Sequence, residues 1–453
     1  MSSPTPHRAS PRFGRRALLS GALGAAATTT LSACGSPLSA GLVGGQLAPG
    51  TVQYWNLFGG GDGARMITME DVYRKNHGGP SSLEAATFTW GNPYYTKLSL
   101  ATLAGSPPDV AVAHLTRATN LARGGLLSEI TDADLALVGL SQSDFSAKPF
   151  EKAKTDGKLY ALPLDTHPFV LYYNTDVCQK AGLLDSDGLL KPIQGAAEFE
   201  AALTAAKKVT GAYGLSVSTI ADQATCWRWF TTLYHQQNGA TEFFGNNGRE
   251  LTYNQDIAIK TLEYMQSLTI KKELVPTTND YAGAETMLFT GKVGFYLEGE
   301  WEITTAQSVK DFKFGMTTIP QIFDQPATQG DSHSFVLPKV KHTPEQRKLA
   351  MGFVKSMLDQ SLTWAKGGHI PSYKPVLDSQ QYRDLTPQKY YAGVVDYVTY
   401  DSPAWYSGSG STFENIIGAQ IGLVEQGIAT PQQGLDAAVA QFKTYVNTAD
   451  PLA

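Results

Sequence analysis

Asp156-Gly157-Lys158-Leu159-Tyr160-Ala161-Leu162-Pro163-Leu164-Asp165-Thr166-His167-Pro168-Phe169-Val170-Leu171-Tyr172-Tyr173-Asn174-Thr175-Asp176 carries two apolar runs with a polar interruption between them. Asp-Gly is a hairpin-type turn, and the runs that follow read as β-strands. A polar break at Asp165-Thr166-His167 suits a strand that leaves one domain and enters another. At 453 residues the chain is too long for one ordinary core, and its length corresponds to about two or three compact units.

The neighbouring segments alternate between strand and helix patterns. Val52 to Phe58 alternates and runs into Gly59-Gly60-Gly61-Asp62-Gly63, followed by Met66, Met69 and Tyr73 at helical spacing. Asp109 to His114 reads as a short buried parallel strand with His114 at its end. Phe289-Thr290-Gly291-Lys292-Val293-Gly294-Phe295-Tyr296-Leu297-Glu298-Gly299-Glu300-Trp301 has a period of two and delivers a tryptophan just past a strand end. Together these indicate an α/β fold, in which ligands collect at the carboxyl ends of parallel strands. Thr343-Pro344-Glu345-Gln346 and Thr430-Pro431-Gln432-Gln433 mark helix starts with proline at the first position.

Composition narrows the partners. With 36 Lys+Arg against 41 Asp+Glu and no basic run, nucleic acid is excluded as an expected partner. The start of the chain has the chemistry of export, with Arg8, Arg12, Arg15 and Arg16 ahead of an apolar run from Ala17 to Ala33 and no acidic residue before Asp62. Arg15-Arg16 resembles a twin-arginine signal, and an ordinary secretory route stays open. Leu31-Ser32-Ala33-Cys34-Gly35 resembles the bacterial lipobox, which makes Cys34 the expected site of lipid attachment. Residues 1–33 are then a lipoprotein signal peptide and residues 34–50 a flexible linker. Cys178 and Cys226 are left to form a disulfide or to stand as buried thiols.

The pattern Asp156-Gly157-Lys158-x-Tyr160-x-x-Pro163, then Tyr173-Asn174 with Asp176 two beyond, then Lys180-Ala181-Gly182-Leu183, resembles the extracellular carbohydrate-binding proteins of bacterial ABC importers, the family that includes maltose-binding protein. Phe289-x-x-Lys292 through Gly299-x-Trp301 fits the same family. The resemblance implies a two-lobed α/β clamp with three interlobe crossings, closing on its ligand about a hinge. It places the first lobe at 51–165 and 321–368 and the second at 168–320 and 369–453, with crossings near Asp165-Thr166-His167, Phe314 to Pro320 and His369-Ile370-Pro371-Ser372.

On this reading the chain is a lipid-anchored receptor on the outer face of the cytoplasmic membrane. It binds a mono- or oligosaccharide between its lobes and delivers it to membrane permease subunits, as a monomer, without a cofactor or metal and without catalysis. The expected ligand-binding residues are Asn56, Phe58, Trp90, Asn92 and His114 from the first lobe, Asp165 and His167 at the crossing, Trp227, Glu300 and Trp301 from the second lobe, His333 on the returning segment, and Trp405 in the Asp401 to Gly410 loop. His167 occupies a crossing position that is acidic in maltose-binding protein. A tryptophan supplies a flat apolar face for a sugar ring, although Trp301 also reads as a packed core residue.

Two enzyme readings compete. Glu298 and Glu300, two apart on a strand end, lie at a separation seen for glycosidase carboxylate pairs. Gly59, Gly61 and Ala64 meet the G-x-G-x-x-A spacing of a dinucleotide-binding oxidoreductase, against which stands Asp62, which would repel a pyrophosphate. His114, His167, His333 and His369 have no metal-site spacing, yet all fall at strand ends or crossings, where they could line one cleft.

Overall fold

The computed structural model describes residues 50–450. The signal segment, Cys34 and nearly all of the expected linker lie outside the described residues. Among the described residues no helix is long and apolar enough to cross a membrane.

Among the described residues two large sheets form the framework, beside two small two-stranded pairs. Strands β1 (Val52–Asn56), β2 (Leu83–Thr87), β3 (Val110–His114) and β4 (Ala161–Pro163) belong to the first. Strands β5 (Asp165–Asn174), β6 (Leu215–Ser216), β7 (Phe295–Gly299), β8 (Phe314–Thr317) and β9 (Thr328–Asp331) build the second. The chain then returns with β10 (His333–Val336), touches β5 again with β11 (Ile370–Pro371), and closes the second sheet with β12 (Val398–Thr399). The first sheet has the order β2-β1-β3-β10-β4; the second has β12-β9-β5-β7-β6, with β8 and β11 also paired to β5.

β5 is buried along all ten residues because its two faces feed different cores. Phe169, Leu171 and Tyr173 join one apolar cluster, and Val170 and Tyr172 another. The period of two explains this division, since alternate side chains leave a strand on opposite faces. β7 behaves in the same way and is also wholly buried. Asp156 and Gly157, both with positive φ, form the expected turn between Lys154–Thr155 and Lys158–Leu159. Helices α1 (Gly60–Asn76), α2 (Asn92–Leu103), α3 (Leu115–Arg123), α4 (Gln223–His235), α5 (Pro344–Asp359), α6 (Thr412–Glu425) and α7 (Pro431–Val446) are the ones that bear on the site. α1 and α5 cover the first sheet through Met66, Met69, Tyr73, Phe353 and Met357, while α4, α6 and α7 build the second core around Trp227, Phe413 and Phe442. Thr343 and Thr430 each close the expected capping box. Cys178 and Cys226 are buried free thiols.

The second crossing differs from the sequence expectation. Phe314–Thr317 pairs with Leu171–Asn174, and Gly330 and Asp331 pair with Pro168 and His167, so residues 321–331 stay with the second sheet. The chain changes sheets at Ser332, because the apolar run that can fill the gap between β3 and β4 begins only at β10. The C-terminal part is also less uniform than expected, since Tyr373 packs in the first core against Phe145. The third crossing pairs Ile370 and Pro371 with Thr166 and Asp165. Both later crossings therefore lie against the first residues of β5.

Candidate functional site

A cleft of about 320 Å³ opens where the strand ends and the crossings meet. Phe58 and Asp62 reach it from the β1 end and α1, Trp90 from the loop before α2, and His114 from the end of β3. His167 and His333 form its floor beside the crossings. Asp222, Arg228, Tyr281 and Trp301 come from the second lobe, and Ser409 from the C-terminal loop.

The floor is a histidine cluster. The rings of His167 and His333 stack with centroids 4.1 Å apart, and His114 lies 4.8 Å from His333 and 5.3 Å from His167. Beneath them, fully buried Asp165 draws donors from both lobes. Its Oδ1 accepts from the His333 backbone N–H at 2.7 Å and from His167 Nδ1 at 3.2 Å; its Oδ2 accepts from Trp364 Nε1 at 2.6 Å and from His333 Nδ1 at 2.8 Å. Burial alone would raise the Asp165 carboxyl, but neighbouring His333 first, then the hydrogen bonds from His167 and His333 and the ion pair with His369, hold it well below the ordinary carboxylate range.

This network sets the polarity of the floor. His167 donates Nδ1–H to Asp165, so its neutral ring leaves the Nε2 lone pair for the cleft, and His333 does the same in its neutral form. Burial, then neighbouring His333, push His167 down to about 3, which keeps it neutral. His114 has the opposite sense. Its backbone N–H donates to Tyr95 Oη at 2.9 Å, and the Tyr95 hydroxyl in turn donates to His114 Nδ1 at 2.7 Å, which puts the His114 proton on Nε2. Burial first, then its neighbours His333 and His167, hold His114 well below its ordinary value. The floor thus offers one N–H donor beside two nitrogen acceptors.

His369, fully buried, behaves differently. Its Nε2 lies 3.0 Å from Asp62 Oδ1, and its Nδ1 lies 2.9 Å from Glu300 Oε1 and 3.2 Å from Asp165 Oδ2. The Nδ1 aims squarely at neither oxygen, so these two contacts are ion pairs and not formed hydrogen bonds. Burial would lower His369, but Asp62 first, then Asp165 and Glu300, raise it well above the ordinary histidine value. One charged imidazole therefore joins α1 of the first lobe to the strand end of the second.

The walls are aromatic. Trp301 is half-buried, donates Nε1–H to Tyr281 Oη at 3.0 Å, and lies under the Arg228 guanidinium, 5.0 Å from the ring centroid. Tyr281 in turn donates to Glu302. Trp90, 40% exposed, stands at the mouth. Gly299 is required by this arrangement, because a Cβ there would lie 2.1 Å from the Trp301 ring. Gly299→Ala is expected to displace the indole and to cost about 1–3 kcal/mol through overpacking, read as a lower urea midpoint together with altered tryptophan emission.

Of the residues singled out from the sequence, Phe58, Trp90, His114, His167, Trp301 and His333 line the cleft. Asp165 and Glu300 lie below it, fully buried. The others do not line it. Asn56 is buried, and its Oδ1 accepts from the Phe58 N–H and the Thr87 hydroxyl, tying off the β1 end. Asn92 starts α2, donates to Thr412 Oγ1 at 3.4 Å and accepts from Arg117 at 3.1 Å. Trp227 is 2% exposed, donates to Asp401 at 2.8 Å and packs edge-on against Phe413; Trp229 is also buried, so neither tryptophan of this helix faces the cleft. Arg228, between them in sequence, points there instead. Trp405 packs against Tyr406 and Tyr445 and borders a separate hollow with Arg123 and Arg249. Sequence reasoning missed Asp62, Asp222, Arg228, Tyr281 and Ser409; of these, Asp62 in its glycine-rich loop carried the readable signal.

The enzyme readings lose their geometric basis. Glu298 is fully buried, accepts from Thr225 Oγ1 at 2.9 Å, and lies 3.8 Å from Arg228. Burial pushes Glu298 up to about 8 and Glu300 up to about 7. Neither carboxylate lines the cleft, as a pair acting on a glycosidic bond must. In the glycine-rich loop, a Cβ on Gly61 would lie 2.6 Å from Thr304 Cβ, and neighbouring Arg65 donates to Thr304 Oγ1 at 3.0 Å. Gly61 thus serves the close approach of the second lobe, and Asp62 is taken by His369.

Comparison with known proteins agrees with this architecture. A family model described as "Bacterial extracellular solute-binding protein" matches residues 73–386. The arabinooligosaccharide-binding protein of Bacillus subtilis (strain 168) is 31% identical over 196 residues, 43% of this chain and 41% of that protein. A maltooligosaccharide ABC transporter solute-binding lipoprotein of Streptococcus pneumoniae (strain ATCC BAA-255 / R6) is 27% identical over 288 residues, 61% of this chain and 62% of that one. Both alignments span less than two thirds of the relatives' own lengths. The GacH receptor of Streptomyces glaucescens GLA.O, solved unliganded and with acarbose, superposes with a TM-score of 0.72 over 88% of this chain and 99% of that one at 17% identity, a likeness of fold. Two sheets joined through β5, with a cleft at their junction, and a family match over more than half the sequence lead to one conclusion: the chain belongs to the bacterial extracellular solute-binding protein family.

Proposed function

We propose that the protein binds a short saccharide in this cleft and delivers it to the permease of an ABC importer, held at the outer face of the cytoplasmic membrane by a lipid on Cys34. The observation that carries the reading is the pairing of aromatic walls with a floor of mixed hydrogen-bonding sense. A sugar is uncharged and strongly hydrated, so a site that dehydrates it must return both donors and acceptors to its hydroxyls. His114 Nε2–H supplies a donor, and the His167 and His333 Nε2 atoms supply acceptors. Trp301, Trp90 and Phe58 offer faces to the C–H patches of the rings. Closure of the lobes on the ligand makes binding itself the signal that the permease reads, and no chemical step is needed. The oligosaccharide names of the two relatives support the same substrate class.

A thermal-shift panel tests this directly. A ligand at 100 times its Kd adds about 2.7 kcal/mol of stability, which a melting curve resolves. Arabino- and maltooligosaccharides are expected to raise the melting temperature and to be recovered intact. A shift with a peptide, polyol or phosphoester and with no sugar reassigns the substrate class, and recovery of cleaved sugar revives the hydrolase.

A further inference from the structure

We propose that Asp165, His167, His333 and His369 form a binding site for a divalent transition-metal ion of the zinc class, directly beneath the cleft. One ligand atom from each residue falls within a group whose members all lie within 4.8 Å of one another. The Nδ1 atoms of His167, His333 and His369 lie 3.2, 2.8 and 3.2 Å from the nearer Asp165 oxygens. A tetrahedral ion bound at about 2.0–2.1 Å separates its donor atoms by about 3.3 Å, so each ring must withdraw slightly from Asp165 while the more distant ligand atoms, up to 4.8 Å apart, draw together. Three imidazole nitrogens and one carboxylate oxygen suit zinc and its neighbours, whereas calcium and magnesium prefer oxygen ligands throughout.

Two further features support the site. Outer groups already orient the ligands, as metal centres require: His369 presents Nε2 to Asp62 at 3.0 Å, and Trp364 Nε1 fixes Asp165 Oδ2 at 2.6 Å. The Glu300 carboxylate, fully buried, has no hydrogen bond to either oxygen and lies 2.9 Å from His369 Nδ1. Coordination displaces any proton on that nitrogen to solvent, and the dication held by Asp165 and His369 then carries the positive charge beside Glu300. His167 and His333 line the cleft, which gives the ion its way in. The sequence spacing held no metal motif because the four ligands come from three separate crossings; the fold alone assembles them.

The ion also changes the cleft above it. Coordination through Nδ1 moves the remaining proton of His167 and of His333 to Nε2, turning two acceptors into donors. This consequence rests on the saccharide reading; the metal site does not.

The test uses the purified full-length chain, stripped with chelator, incubated with excess Zn²⁺ and desalted, with metal measured per chain. One retained zinc is expected, and the Co²⁺ form should show the intense visible absorption of a four-coordinate ion. His333→Gln and His369→Gln are expected to weaken zinc binding 100-fold or more. Asp62→Asn is expected to weaken it about tenfold, and His114→Gln should leave it unchanged. Absence of retained zinc, equal retention by H333Q, or a weak six-coordinate cobalt spectrum overturns the site. If the glutamine variants do not fold, the cobalt spectrum of the unaltered chain decides alone. Saccharide affinity is then compared between zinc-loaded and stripped protein, with a change of threefold or more expected. Failure of both forms to bind any sugar sinks the saccharide reading and leaves the metal result standing.

Discussion

Asp165→Ala is expected to lower the free energy of unfolding by about 3–5 kcal/mol, measured as a fall in the urea midpoint at unchanged slope. Asp165 accepts from the His333 backbone, His167, His333 and Trp364, and pairs with His369, all within a buried layer. Removing the carboxylate leaves each of those donors without its partner, and orphaned buried donors cost their full desolvation. The charged His369 loses one of the three carboxylates that sustain it. Asp165→Asn keeps one acceptor oxygen and is expected to lose less. An alanine variant with the original midpoint would show that the network holds nothing together.

Trp301→Ala is expected to weaken saccharide binding by about 2 kcal/mol, roughly 30-fold, by calorimetry, with little loss of stability. The indole is half-buried in the cleft wall, fixed by Tyr281 on its edge and Arg228 over its ring. Its truncation removes a stacking face and uncovers the guanidinium. Phe at the same position retains a face without the Nε1 donor and is expected to recover about half of the loss. Equal affinity in all three proteins would return Trp301 to a purely structural role.

The fold was legible because its evidence is local. A polar break between apolar runs marked the passage into β5, and period-two alternation marked β7. Capping boxes at Thr343 and Thr430 fixed two helix starts. The second crossing was misplaced because Phe314–Thr317 and Thr328–Asp331 both alternate as strands, and only pairing with β5 shows that neither leaves the second sheet. The site was legible in part. Histidines at strand ends converge because strand ends converge, which the α/β pattern foretells. Which side of α4 faces inward is set by α6 and β9 packing on it, so Trp227 could not be told from Arg228 by spacing. The burial of Glu298 likewise follows from the pairing of β7 with β5 and β6, and that of Glu300 from Gly368 and His369 of the third crossing packed against it, long-range facts absent from the segment itself.

The position of β10 has a consequence for the order of assembly. It lies between β3 and β4 in the first sheet, yet it follows both of them by the whole length of the second sheet's first five strands. Until residue 336 is available, β3 and β4 each lack a neighbour, and His114, at the end of β3, lacks the strand against which it pairs. The first lobe therefore cannot finish before the second is largely made, and closing so long a loop must precede the contacts that reward it. Refolding is expected to be slow for a chain of this size, because β10 must reach its place between β3 and β4 across that loop, and stopped-flow fluorescence reads the rate.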